Sequence, residues 1–331
     1  MKKIFFAAIA LVALASCAKE EFVSVNRQAI SFGEAFVDNA TRADYSDGQN
    51  LTTFDVFGTV TGTAGTVNIF AGIPVTGTVG AATWSYDQQY AQYWIPGADY
   101  NFAAVVDADG VGTSTDTATY GMPTTLTSTA DATTGVRNDL LYAEAHVEDA
   151  AANQGVVDFT FFHLLSKVRF TVTSTAQGGY YHEVTGISVS SFKTATFTLD
   201  NAITPGTIDG GTWAADTADT NALSVPFADI AEVSSTNGTT GVSNADMLLV
   251  PTADTYNVTF TVELYKGTTK LGTETKTIPV EKDLVKGNAY NFTIACSVGN
   301  PIQFSVTNNP TWNSDIDGDG DVDTNDNVKI E

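Results

Sequence analysis

The stretch "YNVTFTVELY" (256–265) constrains this chain most, because every second residue changes character. Tyr256, Val258, Phe260, Val262 and Leu264 fall on one side, and Asn257, Thr259, Thr261 and Glu263 on the other. A period of two belongs to a β-strand with one face in a core and one in water. "KGTTK" (266–270) then turns the chain into "LGTETKTIPV" (271–280), which predicts a hairpin. A lone hairpin is marginal in water, so the rest of the chain has to supply further strands. Threonine, serine, glycine, valine and aromatic residues dominate and strong helix formers are scarce, the profile of an all-β protein.

Two series of β-like runs are separated by polar stretches. The first holds "TFDVFGTVTG" (53–62), "TVNIFAGIPV" (66–75), "ATWSYDQQYAQYWIPG" (82–97) and "DYNFAAVVDADG" (99–110). "NDLLYAEAHV" (138–147) reads as a strand, although its composition permits a short helix, and residues 110–135 read as a long loop. The second series starts at "VVDFTFFHLLSKVRFTVT" (156–173) and continues through 183–192, 194–200, the hairpin, 288–298 and 302–308. At 331 residues the chain is long enough for two domains. The prediction is two antiparallel β-sandwiches in tandem, 43–152 and 153–312, divided in the Ala/Asn/Gln/Gly stretch 149–155.

The N-terminus "MKKIFFAAIALVALASC" has a Lys-Lys start and an apolar segment too short to span a bilayer, the layout of a secretory signal. Leu14-Ala15-Ser16-Cys17 resembles a bacterial lipobox, with Cys17 as the lipidated residue. "KEE" after it resembles the tag of lipoproteins sent to the outer face of the outer membrane. The only other cysteine, Cys296, lies in a strand-like run and reads as a buried, inert thiol. Residues 22–36 read as a further strand and lead into a polar connector containing Arg42.

The formal charge is −23, from 38 acidic and 15 basic residues, and no Lys/Arg cluster exists to neutralise phosphates; this excludes nucleic acid as a partner. His146, His163 and His182 fall in no metal-ligand spacing, and there is no G-x-S-x-G elbow, phosphate loop or dinucleotide fingerprint. His163 reads as a satisfied strand residue rather than a base. The chain offers no case for an enzyme. Trp84 and Trp94, with Tyr86, Tyr90 and Tyr93 between them, admit two readings: a sugar-stacking platform on a surface glycan binder, or core aromatics, the reading better matched to a sandwich.

"DIDGDGDVDTND" (315–326) has the ligand spacing of an EF-hand-type loop. Asp315, Asp317, Asp319, Asp321, Asp323 and Asp326 stand at positions 1, 3, 5, 7, 9 and 12, with Gly320 at the sharp turn. Alternating carboxylates of this kind converge on one Ca²⁺, so a bound Ca²⁺ is expected in the 313–331 tail. Only five residues follow Asp326, too few for the second loop of a dockerin-like module.

The order of several segments resembles the fimbrillin family, the shaft and tip subunits of type V pili in Gram-negative anaerobes. The segments are the lipobox, "AISFGEAFVDNATRA" (29–43), "YWIPGADYNFAAV" (93–105), "NDLLYA" (138–143), "FTFFHLLSKVRFTV" (159–172), "LVKGNAYNFTI" (284–294) and "IQFSVTNNPTW" (302–312). The resemblance implies two transthyretin-like sandwiches, export as a lipoprotein to the outer membrane, and a cut by an Arg-specific surface protease between Arg42 and Ala43. It also implies head-to-tail polymerisation with other pilus subunits into a cell-surface fimbrium, and adhesion to a host or bacterial surface ligand. Loss of 18–42 would open a sheet edge and an apolar groove for a neighbour's strand. In that family the donor strand comes from the C-terminal end. Either 302–312 serves here, or the Asp-rich tail blocks polymerisation, as would suit a tip or accessory subunit.

Overall fold

The computed structural model describes residues 28–37, 44–45, 49–77, 84–117, 119–151, 155–200, 210–215, 223–234, 240–242, 246–251, 256–280, 283–309 and 328–330. Among them there is no α-helix, and twenty-three strands and one 3₁₀ turn (Gln88–Tyr90) make up the regular structure. The first strands are β1 (Phe32–Val37), β2 (Asp44–Tyr45), β3 (Gln49–Asn50), β4 (Thr53–Gly62), β5 (Gly65–Thr76) and β6 (Asp99–Val106). They continue with β7 (Gly110–Thr113), β8 (Pro123–Thr129), β9 (Leu141–Val147), β10 (Val157–His163), β11 (Ser166–Ser174) and β12 (Tyr180–Ser191). Next come β13 (Thr194–Thr198), β14 (Thr212–Ala215), β15 (Leu223–Pro226), β16 (Ile230–Val233), β17 (Thr240–Val242) and β18 (Met247–Leu249). The last are β19 (Tyr256–Lys266), β20 (Thr269–Val280), β21 (Ala289–Cys296), β22 (Gln303–Asn309) and β23 (Val328–Ile330).

The alternating stretch is β19: Tyr256, Val258, Phe260 and Val262 are buried, while Asn257 is exposed. It pairs with β20 through a turn at Gly267, whose φ of +55° lies in the left-handed region that glycine enters without a Cβ penalty. β20 is exposed along most of its length and carries Lys270 and Lys276, charges that discourage edge-to-edge pairing.

The chain forms the all-β architecture expected, in several mostly antiparallel sheets. The order β1-β10-β9-β6-β4-β5 makes the first sheet. In the second half β17-β11-β21-β22-β23, with β18 also on β11, faces β15-β12-β19-β20, with β16 on β12. Between these two lies a core that includes Phe170, Phe260, Phe292 and Ile294.

Two expectations need correction. The run 156–173 is not one strand opening the second half. Leu164 and Leu165 break it, β10 pairs with β9 in the first sheet, and only β11 enters the second. Strand pairing therefore changes sheet at 164–165. Nor are residues 110–135 only loop: β7 and β8 join β13 and β14 in a four-stranded sheet, β14-β13-β8-β7. Threonine-rich β8 shows no apolar alternation, and while β7 pairs with it locally, its other partner β13 lies about 65 residues on, so the hydrophobic pattern does not reveal the sheet.

That four-stranded sheet covers the outer face of the first sheet. Phe57, Ala103, Val105 and Tyr142 from the first sheet meet Leu126, Phe197 and Leu199, together with Leu164, Leu165, Leu248 and Val250. Arg137 is buried and donates to the carbonyls of Ser128 (3.0 Å) and Lys193 (3.0 Å), tying the loop before β9 to β8 and β13. The inner face holds a separate aromatic core of Phe32, Phe54, Phe70, Trp84, Trp94, Tyr100, Phe102, Phe159 and Phe161.

Candidate functional site: the N-terminal strand and its groove

Residues 28–37 run through the first domain as an inserted strand. On one side β1 lies parallel to β10, with Phe32 opposite Val157 and Val37 opposite Phe161. On the other, the chain bonds to 84–94: Ile30 N–H donates to Gln92 O (2.8 Å), Trp84 N–H to Phe32 O (3.0 Å) and Trp94 N–H to Gln28 O (3.2 Å). Ser85 in turn pairs with Thr76 at the end of β5. Together these contacts link the two edges of the first sheet around its inner core, and residues 28–37 form one stave of that closure.

The side chains are held as firmly as the backbone. Ile30, Phe32 and Ala35 are buried, and the Phe32 ring lies within 5.7–6.1 Å of the rings of Phe70, Tyr86, Phe102 and Phe159. The Tyr86 hydroxyl donates to Ile30 O at 2.5 Å, and burial raises the phenol above its ordinary range. Gly33 lets the strand pass close to β10: a Cβ there would stand 2.0 Å from Asp158 Oδ1 and 2.7 Å from Val156 Cγ2, so those side chains would have to move. Full burial of a side chain such as Phe32 or Ile30 contributes about 1.5–3 kcal/mol. Removal of the strand leaves β10 with an unpaired edge and the inner core open on one side.

Trp84 is 3 % exposed and Trp94 is 0 % exposed, so neither offers a face to a sugar. Trp84 packs 5.0 Å from Phe54, and Trp94 meets Tyr100 edge-on at 4.7 Å. The stacking-platform reading is overturned and the core reading holds; only Tyr90 and Tyr93 of that aromatic run are exposed.

The three histidines have separate environments. His163 Nδ1 lies 2.8 Å from Asp139 Oδ2, and both side chains are buried. His182 Nδ1 lies 2.7 Å from Ser174 Oγ in the second core, and burial lowers its pKa. His146 Nδ1 lies 2.6 Å from Asn101 Oδ1 at the surface. Cys296 is buried and its thiol is pushed up to about 12 by burial, in keeping with an inert core residue. Cys17, Arg42, Ala43 and the loop Asp315, Asp317, Asp319, Asp321, Asp323 and Asp326 lie outside the described residues.

An all-β protein whose first sheet is closed by its own N-terminal strand is the class of molecule this geometry defines. Residues 41–311 match the family model described as fimbrillin-like, and the chain belongs to that family. A fimbrial protein from Bacteroides vulgatus ATCC 8482 has a similar fold, with a TM-score of 0.57 and 16 % identity over 86 % of this chain and 100 % of that one. A protein from Bacteroides uniformis ATCC 8492, described as a candidate cell adhesion protein, superposes with a TM-score of 0.52 at 18 % identity over 87 % and 98 %. No curated protein sequence matches this chain.

Proposed function

We propose that this chain is a structural subunit of a surface pilus, exported as a lipoprotein on Cys17, cut between Arg42 and Ala43, and polymerised by strand addition. The observation that carries the reading is the inserted strand 28–37: a cut after Arg42 severs it from the body and frees its groove. Its alternating buried residues, Ile30 and Phe32, define what a replacement strand must supply. The candidate donor 302–312 contains β22, where Phe304 and Val306 are buried with the same spacing of two. Unlike donor and acceptor surfaces make the contact head-to-tail, and it propagates into a filament. The family match supports association with other fimbrial subunits and a place at the cell surface. The protein does no catalysis in this reading; it is a strand-exchanging building block or adhesin.

The test is the N-terminal sequence of the protein recovered from intact cell surfaces. A start at Ala43 is expected; a blocked, lipidated Cys17 in assembled fibres would overturn the reading. The Asp315–Asp326 loop is proposed to take one Ca²⁺ per chain. Calorimetric titration of the full chain should show that site and lose it on Asp315→Ala.

A further inference from the structure

The segment 84–94, which borders the inserted strand, is not a continuous strand itself. Ser85 turns away to pair with Thr76 of β5, and Gln88–Tyr90 form the 3₁₀ turn that Asp87 caps by accepting from Gln89 N–H at 3.0 Å. The chain returns to the inserted strand at Gln92, whose carbonyl accepts from Ile30 N–H. Three carbonyls of the inserted strand are held from this side. Gln28 O and Phe32 O accept from the backbone N–H groups of Trp94 and Trp84. Ile30 O, between them, accepts from a side chain, the Tyr86 hydroxyl at 2.5 Å. A regular antiparallel pair would return a bond from Gln92 N–H to Ile30 O. Here the Gln92 backbone hydrogen-bonds the phenol oxygen, and the phenol donates onward to Ile30 O.

The body of the domain places Tyr86 for this. Its ring centroid lies 5.7 Å from that of Phe32 and 5.7 Å from that of Phe70 on β5, and it packs partly buried against the inner core. Phe70 and Tyr86 both follow Arg42 in the chain, so a cut there would leave the hydroxyl in the wall of the groove. A side-chain donor differs from a backbone rung in two respects. It can turn to water when the groove is empty, so that no donor is left unpaired. It also addresses a main-chain oxygen, which every strand carries whatever its sequence.

We infer that Tyr86 is the main-chain clamp of the groove: its hydroxyl grips the backbone carbonyl at the Ile30 position of whichever extended polypeptide segment fills the groove, while the Ile30 and Phe32 pockets select its side chains. The clamp on the chain's own strand stands on the geometry above, and its action on an incoming strand rests on the strand-addition reading. A grip that ignores sequence lets one groove hold its own N-terminal strand first and a different segment afterwards. Tyr86 is a positioning residue in this role.

Two experiments test it. Amide exchange of the uncut full chain, followed by mass spectrometry, should be about threefold to tenfold faster across 28–32 in Tyr86→Phe and unchanged in β4 and β6, because this variant keeps the ring and loses one hydrogen bond. Unchanged exchange at 28–32, or an equal rise throughout the first sheet, overturns the clamp. The full chain cleaved after Arg42 is then titrated with a labelled peptide of residues 28–37, once with all amides and once with an ester at the Ile30–Ser31 bond, whose carbonyl is the poorer acceptor. Tyr86→Phe should weaken uptake of the amide peptide about threefold to tenfold and leave uptake of the ester peptide nearly unchanged, the coupling that a direct contact gives. Equal losses for the two peptides would mean that Tyr86 acts through packing, and would overturn the clamp. If neither peptide enters the cleaved wild-type chain, strand addition fails as the function, and amide exchange alone decides the clamp on the chain's own strand.

Discussion

Phe32 concentrates the consequences of the proposed processing in one side chain. It is fully buried against four other rings, yet it belongs to a segment that a single peptide-bond cleavage would detach from the body. Phe32→Ala should cost the unprocessed chain about 3–5 kcal/mol, because the ring leaves both lost transfer energy and a cavity. Denaturant unfolding checks this, and a chain beginning at Ala43 with the groove empty gives the reference state. His182 offers a different residue-scale handle. Burial holds its native pKa below the ordinary histidine value, so the unfolded chain takes up the proton first as pH falls. Its contribution is flat above about pH 6.5, declines as pH drops below that value, and levels off beneath the native pKa. Replacement by Gln should flatten that part of the stability curve. An unchanged slope in the variant would mean that other groups set it. Cys296, with its thiol near 12, should resist thiol reagents at pH 8 in the native protein and react once denaturant is added.

At the scale of elements, β1 is the piece that matters, and it should behave as a separable ligand. A chain starting at Ala43 should melt at a lower temperature than the unprocessed one. A synthetic peptide of residues 28–37 added in trans should restore much of the difference, with the gain increasing with peptide concentration. A peptide carrying Phe32→Ala should restore far less. If neither peptide shifts the melting curve, β1 is packing dispensable to the domain. The strands with clean alternation, such as β19, were legible from sequence because one face is dry and the other wet. So was the presence of an extended segment before Arg42. The change of sheet at Leu164–Leu165 was not, because an apolar run buried on both sides has no period to mark where it breaks. β7 and β8 were missed for the opposite reason, since β7 is a short glycine-containing strand, the threonines of β8 carry no hydrophobic signal, and the pairing of β8 with β13 is long-range.

At the scale of the whole molecule, the two halves share a core. The four-stranded sheet takes β7 and β8 from before the change of sheet and β13 and β14 from after it. Its apolar face joins Phe57 and Tyr142 of the first sheet to Phe197, Leu248 and Val250 from the second half. A cut at 164–165 would leave β8 without its partner β13 and expose Leu126, Leu140 and Tyr142 to water. The first half is therefore expected not to fold alone, even though its inner aromatic core is its own. In the proposed assembly such coupling would tie groove and donor together, because a strand docked into the groove would also support the sheet whose outer face carries the shared core. Scanning calorimetry of the full chain should accordingly show one transition, with a calorimetric enthalpy matching the van't Hoff value. A fragment of residues 28–165 should show no cooperative melting, because the face built to meet β8 and β13 would have only half its cover. Two resolved transitions in the full chain, with the lower one reproduced by that fragment, would mean that the shared core contributes too little to couple the halves. The groove would then have to transmit nothing beyond its own domain.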